Sequence, residues 1–257
     1  MIFVIILLVV FLLIIIRKRK KLNLPDVTLV SGGVKTGKST LACFLALRAY
    51  KRELFRWHIR NFFRGKKHKL EKPLLYSNIP LSVEYVPLTA DLLYMRERLS
   101  ARCVVFIDEA SLLCDSMNFK DDAVNEAVKR FFKLFGHISH GGKLFMATHT
   151  PKDVHYNIKR SLAQYLFITR AIKWIPFFYV VNVRELVYCE ENVQNVYTDD
   201  INEDDSSYWI IIPKSVWKKF DYCCYSKFTD DLPECDNVTI STDLKTTEVL
   251  DFENKDN

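Results

Sequence analysis

Three residue groups in this chain could act together on a triphosphate. The first lies in VTLVSGGVKTGKST, residues 27–40, where an apolar, β-branched run leads into Gly32 and Gly33 and then into Gly37, Lys38 and Ser39. The spacing GxxxxGK[ST] is that of a phosphate-binding loop, the Walker A motif. Gly32 and Gly37 let the backbone wrap an anion without Cβ clashes, and the amides from Val34 to Lys38 can turn inward toward it. Lys38 supplies a point charge for the β- and γ-phosphates and Ser39 a hydroxyl for Mg²⁺. The residues expected to hold ATP are therefore Gly32, Gly33, Val34, Lys35, Thr36, Gly37, Lys38, Ser39 and Thr40.

The second group closes the apolar run RCVVFIDEAS, residues 102–111. Asp108 is placed to hold Mg²⁺ through water, and Glu109 beside it to polarise an attacking water, which is the Walker B pattern. A strand ending in Asp-Glu says little alone and much more downstream of a phosphate loop. It also favours hydrolysis over small-molecule phosphorylation, which needs no water-activating Glu. The third group is Thr148 and His149, ending KLFMATHT, residues 143–150. His149 is a candidate sensor of the γ-phosphate, and otherwise a polar residue ending a strand.

These groups need a parallel sheet that delivers them to one edge. The sequence predicts strands over 27–32, 73–81, 102–109, 143–150 and 165–171, and an antiparallel addition over 177–189. Helices are expected over 39–50, over 88–101 with Thr89 as N-cap, over 121–138 with acidic residues in its first turn, and over 151–163 opening on Pro151. Residues 208–226 read as one more ordered piece, with Pro213 ending its strand. The fold class expected is α/β with a mostly parallel sheet.

The two ends differ from this middle. Residues 1–16, MIFVIILLVVFLLIII, carry no polar side chain and run directly into RKRKK. As a helix they reach about 24 Å against a hydrocarbon core of about 30 Å, a gap that snorkelling Arg17 and Lys18 or local thinning can cover. A cleaved signal peptide would want a basic leader and a small-residue cleavage site, and neither is present. A buried core segment would not abut a basic block. A transmembrane anchor is the expectation, with the rest of the chain on the cytoplasmic side of its basic flank. From Thr229 onward the sequence is acidic, polar and unpatterned, a disordered tail. The organisation expected is thus 1–21 anchor and basic flank, 22–228 ATPase domain, and 229–257 tail.

Between loop helix and second strand, KRELFRWHIRNFFRGKKHKLEK (51–72) repeats Arg52, Arg56 and Arg60 among Phe55, Trp57, Phe62 and Phe63. A solvated helix face with a covering loop, an amphipathic membrane-surface segment and a single-stranded nucleic-acid track all fit that pattern, and charge alone does not separate them. At 49% hydrophobic and 26% charged, the composition is that of a globular protein, and 257 residues suit one α/β domain with additions. Seven cysteines, odd in number and without a CxxC pair, point to a reducing compartment and away from zinc.

The motifs GGVKTGKS, YSNIPL, VVFIDEAS and GHISHGGKLFMATHTPKDVHYNIKR together resemble the zonula occludens toxin-like proteins. These include the assembly ATPases of filamentous phages and belong to the wider FtsK/HerA-like class of DNA-pumping ATPases. The resemblance spans roughly residues 27–171. It implies an enzyme that hydrolyses ATP with Mg²⁺ to drive virion assembly and extrusion or DNA translocation. It also implies a homo-oligomeric ring, the host inner membrane as location, and single-stranded DNA and phage coat or envelope secretion proteins as partners. Gly32, Gly37, Lys38, Ser39, Asp108 and Glu109 match the family motifs one by one. The chain departs from the family in placing its apolar segment first, in having His137 and His140 where the family has an Arg-His turn, and in having His149 where the family has Gln. Ring ATPases use an arginine from a neighbouring subunit. Arg160, on the expected helix 151–163, is the candidate, ahead of Arg130, whose neighbours Phe131, Phe132, Leu134 and Phe135 read as core. The alternative to an ATPase is a nucleotide-binding membrane scaffold or switch with little turnover.

Overall fold

The computed structural model describes residues 24–64, 70–113, 122–149, 154, 162–186 and 207–220. The expected anchor, Arg160 and the tail all lie outside that set. No helix among the described residues is long and apolar enough to cross a membrane.

In chain order the elements are β1 (Val27–Gly32), α1 (Lys38–Arg64), β2 (Leu75–Ser77), β3 (Val86–Pro87), α2 (Ala90–Leu93), β4 (Val104–Ile107), α3 (Ala110–Leu113), α4 (Asp122–Ile138), β5 (Lys143–Thr148), β6 (Gln164–Ile172), β7 (Phe178–Leu186) and β8 (Ser207–Pro213), then a 3-10 turn at Lys214–Lys219. The eight strands among the described residues form one sheet in the order β3-β2-β4-β5-β1-β6-β7-β8. The strands from β3 to β6 run parallel, and β7 and β8 add on antiparallel. This is the mostly parallel α/β sheet expected from the sequence. The order sets β5 between β1 and β4, so the ends of the three motif-bearing strands stand side by side.

Burial explains the sequence pattern. Apart from Lys143, every residue of β1, β4 and β5 is buried, as continuous apolar runs require when both sheet faces are covered. Successive residues feed opposite layers. Val30, Val104, Phe106, Phe145 and Ala147 pack with Leu41, Leu45 and Ala49 of α1. Leu29, Val105, Ile107, Leu144 and Met146 pack with Phe131, Phe132 and Phe135 of α4. At the sheet's edge β8 alternates instead, with Tyr208, Ile210 and Ile212 turned inward.

Several expectations are corrected. The loop helix does not stop at Tyr50 but continues to Arg64, because strong helix formers run on without a Gly or Pro. The helix expected over 88–101 is a single turn, Ala90–Leu93. Thr89 does cap it, accepting from the Leu92 amide at 3.3 Å. Met95 then turns left-handed (φ 57°), and Arg96 N→Asp91 O (2.8 Å) with Met95 N→Leu92 O (3.2 Å) closes the end, a Schellman arrangement in which methionine takes the glycine's place. Beyond it, Ser100 bonds outward to β2 and its approach, donating its amide to the Tyr76 hydroxyl (3.2 Å) and accepting from the Leu74 amide (3.0 Å). Tertiary bonds thus replace the helical ladder. Leu134, expected in the core, is exposed. The two-residue strand β3 has no signal in the sequence. The helix expected over 151–163 falls almost wholly outside the described residues, and the one described position within 151–161, Val154, is a buried bridge residue rather than helical.

One feature of α1 sets its reach. Its last buried residue is Glu53, whose carboxylate meets Arg56 and, at 3.7 Å, Arg102. Arg102 immediately precedes β4, so Glu53 stands level with the edge where the strands begin. Residues 54–64 project past that edge.

The α4 aromatics test the packing. Phe131→Ala is expected to cost about 3–5 kcal/mol, and Leu134→Ala on the exposed side to stay within about 0.5 kcal/mol. Denaturant unfolding of both variants checks it, and equal losses would contradict the assigned faces.

Candidate active site

The loop between β1 and α1 is held by its own side chains and by the distant β7. The Thr36 hydroxyl donates to Gly33 O at 2.8 Å and the Thr36 amide to the same oxygen at 3.4 Å. Gly37 is left-handed (φ 88°), and a Cβ there would lie 2.6 Å from ring carbons of Tyr179. Both facts demand glycine. Tyr179 is fully buried beneath the loop, and its hydroxyl donates to Thr36 O. Burial pushes that phenol up to about 12, so it stays a neutral donor. Lys173, on the turn between β6 and β7, donates to Lys35 O. The carbonyls of Gly33, Lys35 and Thr36 are thereby engaged, while Val34 crowns the loop, 75% exposed. With these carbonyls engaged and the Thr36 amide turned to Gly33 O, the loop's other amides are the groups placed to meet an anion at a helix N-terminus. Thr40 is buried in the first turn of α1.

Ser39 and Asp108 meet across the gap between β1 and β4, the Ser39 hydroxyl bonding the Asp108 carboxylate. Asp108 is 7% exposed. Burial raises its carboxyl above the usual range, against the opposing pull of the Ser39 bond and the Lys38 charge. Its backbone is clamped by Asn78, which donates to Asp108 O and accepts from Asp108 N, each at 2.8 Å. A hydroxyl and a carboxylate at the mouth of a phosphate loop are hard oxygen donors of the kind Mg²⁺ takes, with its remaining positions filled by phosphate and water. The donor set therefore fits that ion.

Lys38, His149 and Glu109 form a chain. Lys38 Nζ donates to Gly33 O at 3.2 Å and to His149 Nδ1 at 2.8 Å. The other ring nitrogen, Nε2, lies 3.3 Å from Glu109 Oε2, and the His149 amide donates to Glu109 Oε1 at 3.2 Å. The Ser111 hydroxyl donates to the same Oε1 at 2.8 Å. With lysine as donor to Nδ1, the neutral ring carries its proton on Nε2 and offers it to Glu109. Burial lowers the Lys38 ammonium below its ordinary value, partly offset by the charges of Glu109 and Asp108. Glu109 is left-handed (φ 48°), a conformation costing a non-glycine residue about 1–3 kcal/mol.

The structure thus brings Gly32, Gly33, Val34, Lys35, Thr36, Gly37, Lys38, Ser39, Thr40, Asp108, Glu109 and His149 to the carboxyl end of three neighbouring strands, while Arg160 lies outside the described residues. Asn78, Tyr179, Lys173 and Ser111 were missed by the sequence reading. Asn78 stands in the quoted YSNIPL segment, so a polar residue ending a strand was its available signal. Tyr179 had none, being one aromatic in a run of them.

No protein-family model matches the chain, and no curated protein matches it. Similar solved structures include the N-terminal domain of zonular occludens toxin from Neisseria meningitidis, at 14% identity and TM-score 0.43 over 77% of this chain and 100% of that one. Another is the genome packaging NTPase B204 from Sulfolobus turreted icosahedral virus 2 in complex with ATP-gammaS, at 12% identity and TM-score 0.39 over 64% and 98% of the two chains. The flagellar accessory protein FlaH from Methanocaldococcus jannaschii is a third, at 15% identity and TM-score 0.34 over 67% and 82%. The group to which the motif resemblance pointed is among them. At these identities and scores the likenesses assign no activity.

The Asp108 carboxyl gives a prediction of sign. Between its ordinary value and its raised one, the folded chain holds a proton that the unfolded chain releases, so stability falls as pH rises through that window. Asp108→Asn removes that cost. Without nucleotide or Mg²⁺, the variant is expected to melt higher than wild type at about pH 8, with the difference shrinking as pH falls toward the ordinary carboxyl range. Thermal scans across pH check this, and a variant that melts lower at about pH 8 contradicts the burial argument.

Proposed function

We propose that the chain is a Mg²⁺-dependent ATPase. The observation that carries this reading is the convergence of Lys38, Asp108 and Glu109 on one loop, with His149 joining the first to the last. Ser39 and Asp108 would hold the Mg²⁺, which when bound neutralises charge on the β- and γ-phosphate oxygens. Lys38, bonded here to the His149 imidazole, would exchange that partner for a phosphate oxygen, a stronger acceptor for a buried ammonium. His149 is then left bonded to Glu109 alone, positioned beside the place the terminal phosphate takes. Glu109, fixed on two sides by His149 and Ser111, orients an attacking water and accepts its proton.

The motif resemblance supports the wider reading. In it, residues 1–16 anchor the chain in the host inner membrane, copies assemble into a ring, and hydrolysis drives filamentous virion assembly and extrusion or movement of single-stranded DNA, in contact with coat or envelope secretion proteins. The rival reading, a nucleotide-dependent scaffold or switch, draws on the same chain of bonds, since His149 engages both Lys38 and Glu109.

Two experiments separate these readings. Lys38→Ala is expected to lose nucleotide binding. Glu109→Gln is expected to keep binding and to lose about 10²–10⁴ in turnover, the usual worth of a positioned general base. Normal turnover in Glu109→Gln sinks the base assignment, and absent turnover in an assembled wild type leaves the scaffold. For the ring, Arg160→Ala is expected to lose about 10³–10⁵ in rate and to recover part of it when mixed with Lys38→Ala protein, whose intact Arg160 then faces intact Lys38 sites. No loss, or no recovery in a mixture that co-assembles, removes Arg160 from the site.

A further inference from the structure

Residues 54–64 of α1 project beyond the sheet edge, and only Leu54, partly buried, still packs against the core. One side of the projection is braced. Trp57 Nε1 donates to Leu70 O at 2.9 Å, and Asn61 Oδ1 accepts from the Leu70 amide at 2.9 Å, which fixes the helix and turns the remaining side outward. That outward side has a definite composition. Phe55, Ile59 and Phe62 recur at helical spacing with Phe63 beside them, and Phe62 and Phe63 are 83% and 81% exposed. Arg52, Arg56 and Arg60 flank this apolar centre at four-residue steps. Arg56 meets Glu53, and no carboxylate pairs with Arg52 or Arg60 among the described residues. Side chains of Arg52, Phe55, Arg56, Ile59 and Arg60 frame a shallow concave patch on this face.

We infer that the projecting half of α1 is a docking element for an anionic lipid surface, with Phe62 and Phe63 entering the boundary between headgroups and acyl chains and the arginines meeting lipid phosphates. Charge and apolarity are paired as such a surface demands, with a narrow aromatic centre, a guanidinium border and no acidic residue from Leu54 to Arg64. Position supports the same occupant. A parallel strand and the helix after it run in opposite directions, so α1 projects from the edge where the strands begin. Leu24 approaches β1 at that edge, carrying the apolar 1–16 segment and its RKRKK flank on the chain before it. The direction in which the membrane lies rests on the anchor reading given above, whereas the chemistry of the face does not. A base-stacking track would also use arginine and aromatic residues. It would leave the coincidence of helix tip and chain entry unexplained, and it would place nucleic acid at the opposite edge from the nucleotide loop.

The test uses the full chain carrying Phe63→Trp, compared with wild type to subtract the native tryptophans, in the presence of bilayer nanodiscs with brominated acyl chains. In discs of phosphatidylglycerol the added emission is expected to shift blue and be quenched, and in discs of phosphatidylcholine to stay solvent-like and unquenched. Adding Arg52→Glu and Arg60→Glu should abolish the quenching at unchanged ATPase rate, which also serves as the control for folding. Emission that stays solvent-like in phosphatidylglycerol overturns the inference, as does equal quenching in both lipids. So does a response to single-stranded oligonucleotide in place of one to anionic discs, which would assign the face to nucleic acid. The anchor is read separately, from flotation of the full chain with neutral vesicles in high salt. Lost flotation with retained quenching in phosphatidylglycerol removes the anchor and leaves the α1 assignment standing.

Discussion

An ammonium, an imidazole and two carboxylates stand at the ends of three neighbouring strands, and the molecule must hold them there in partial exclusion of water. Lys38 and Asp108 both feel burial as their largest perturbation, in the direction that disfavours charge. Isolated, either group would be a costly thing to place so deep. Together, with Ser39 on the Asp108 carboxylate, Asn78 on the Asp108 backbone and His149 on Lys38, they form a polar cluster on an apolar sheet. Strand order makes the cluster possible. Because β5 separates β1 from β4, the lysine and the glutamate stand two strands apart, a gap that one imidazole bridges. A sheet with β1 and β4 adjacent would leave no place for His149 between them.

The two helical layers serve that arrangement differently. The α1 side anchors the loop, since the helix begins at Lys38 itself and packs Leu41, Leu45 and Ala49 against the sheet. The α4 side contributes no residue to the cluster. It fills the opposite face with Phe131, Phe132 and Phe135 and ends in a closed turn, where Gly141 N→Gly136 O (3.0 Å) and His140 N→His137 O (3.2 Å) return the chain to β5. His137 and His140, which replace the family's Arg-His turn, thus lie at the start of β5, a strand's length from the nucleotide loop. Their geometry describes a helix stop.

What could be read from the sequence was what local chemistry dictates. The loop and its flanking strand and helix were legible because glycine spacing and a β-branched run leave few alternatives, and β4 and β5 because only doubly covered strands are so uniformly apolar. The single-turn helix α2 was not, since its early end depends on Ser100 bonding to Tyr76 and to Leu74, partners 24 and 26 residues away in the chain. His149 was legible as a strand-end residue. Its bond to Lys38, across 111 residues, was not, and the Asn78 clamp on Asp108 was hidden for the same reason. Sequence patterns report which groups need burial and which need a turn. They do not report which distant donor supplies the missing bond.

Tyr179 belongs to β7, well after every motif of the nucleotide site has been synthesised, yet its ring closes the space under Gly37 and its hydroxyl holds Thr36 O. A chain ending at His149 would therefore carry every motif residue of the site without the floor that shapes the loop. The loop takes its final shape only once the β6–β7 hairpin has paired with the sheet and brought in a side chain 143 residues beyond Thr36.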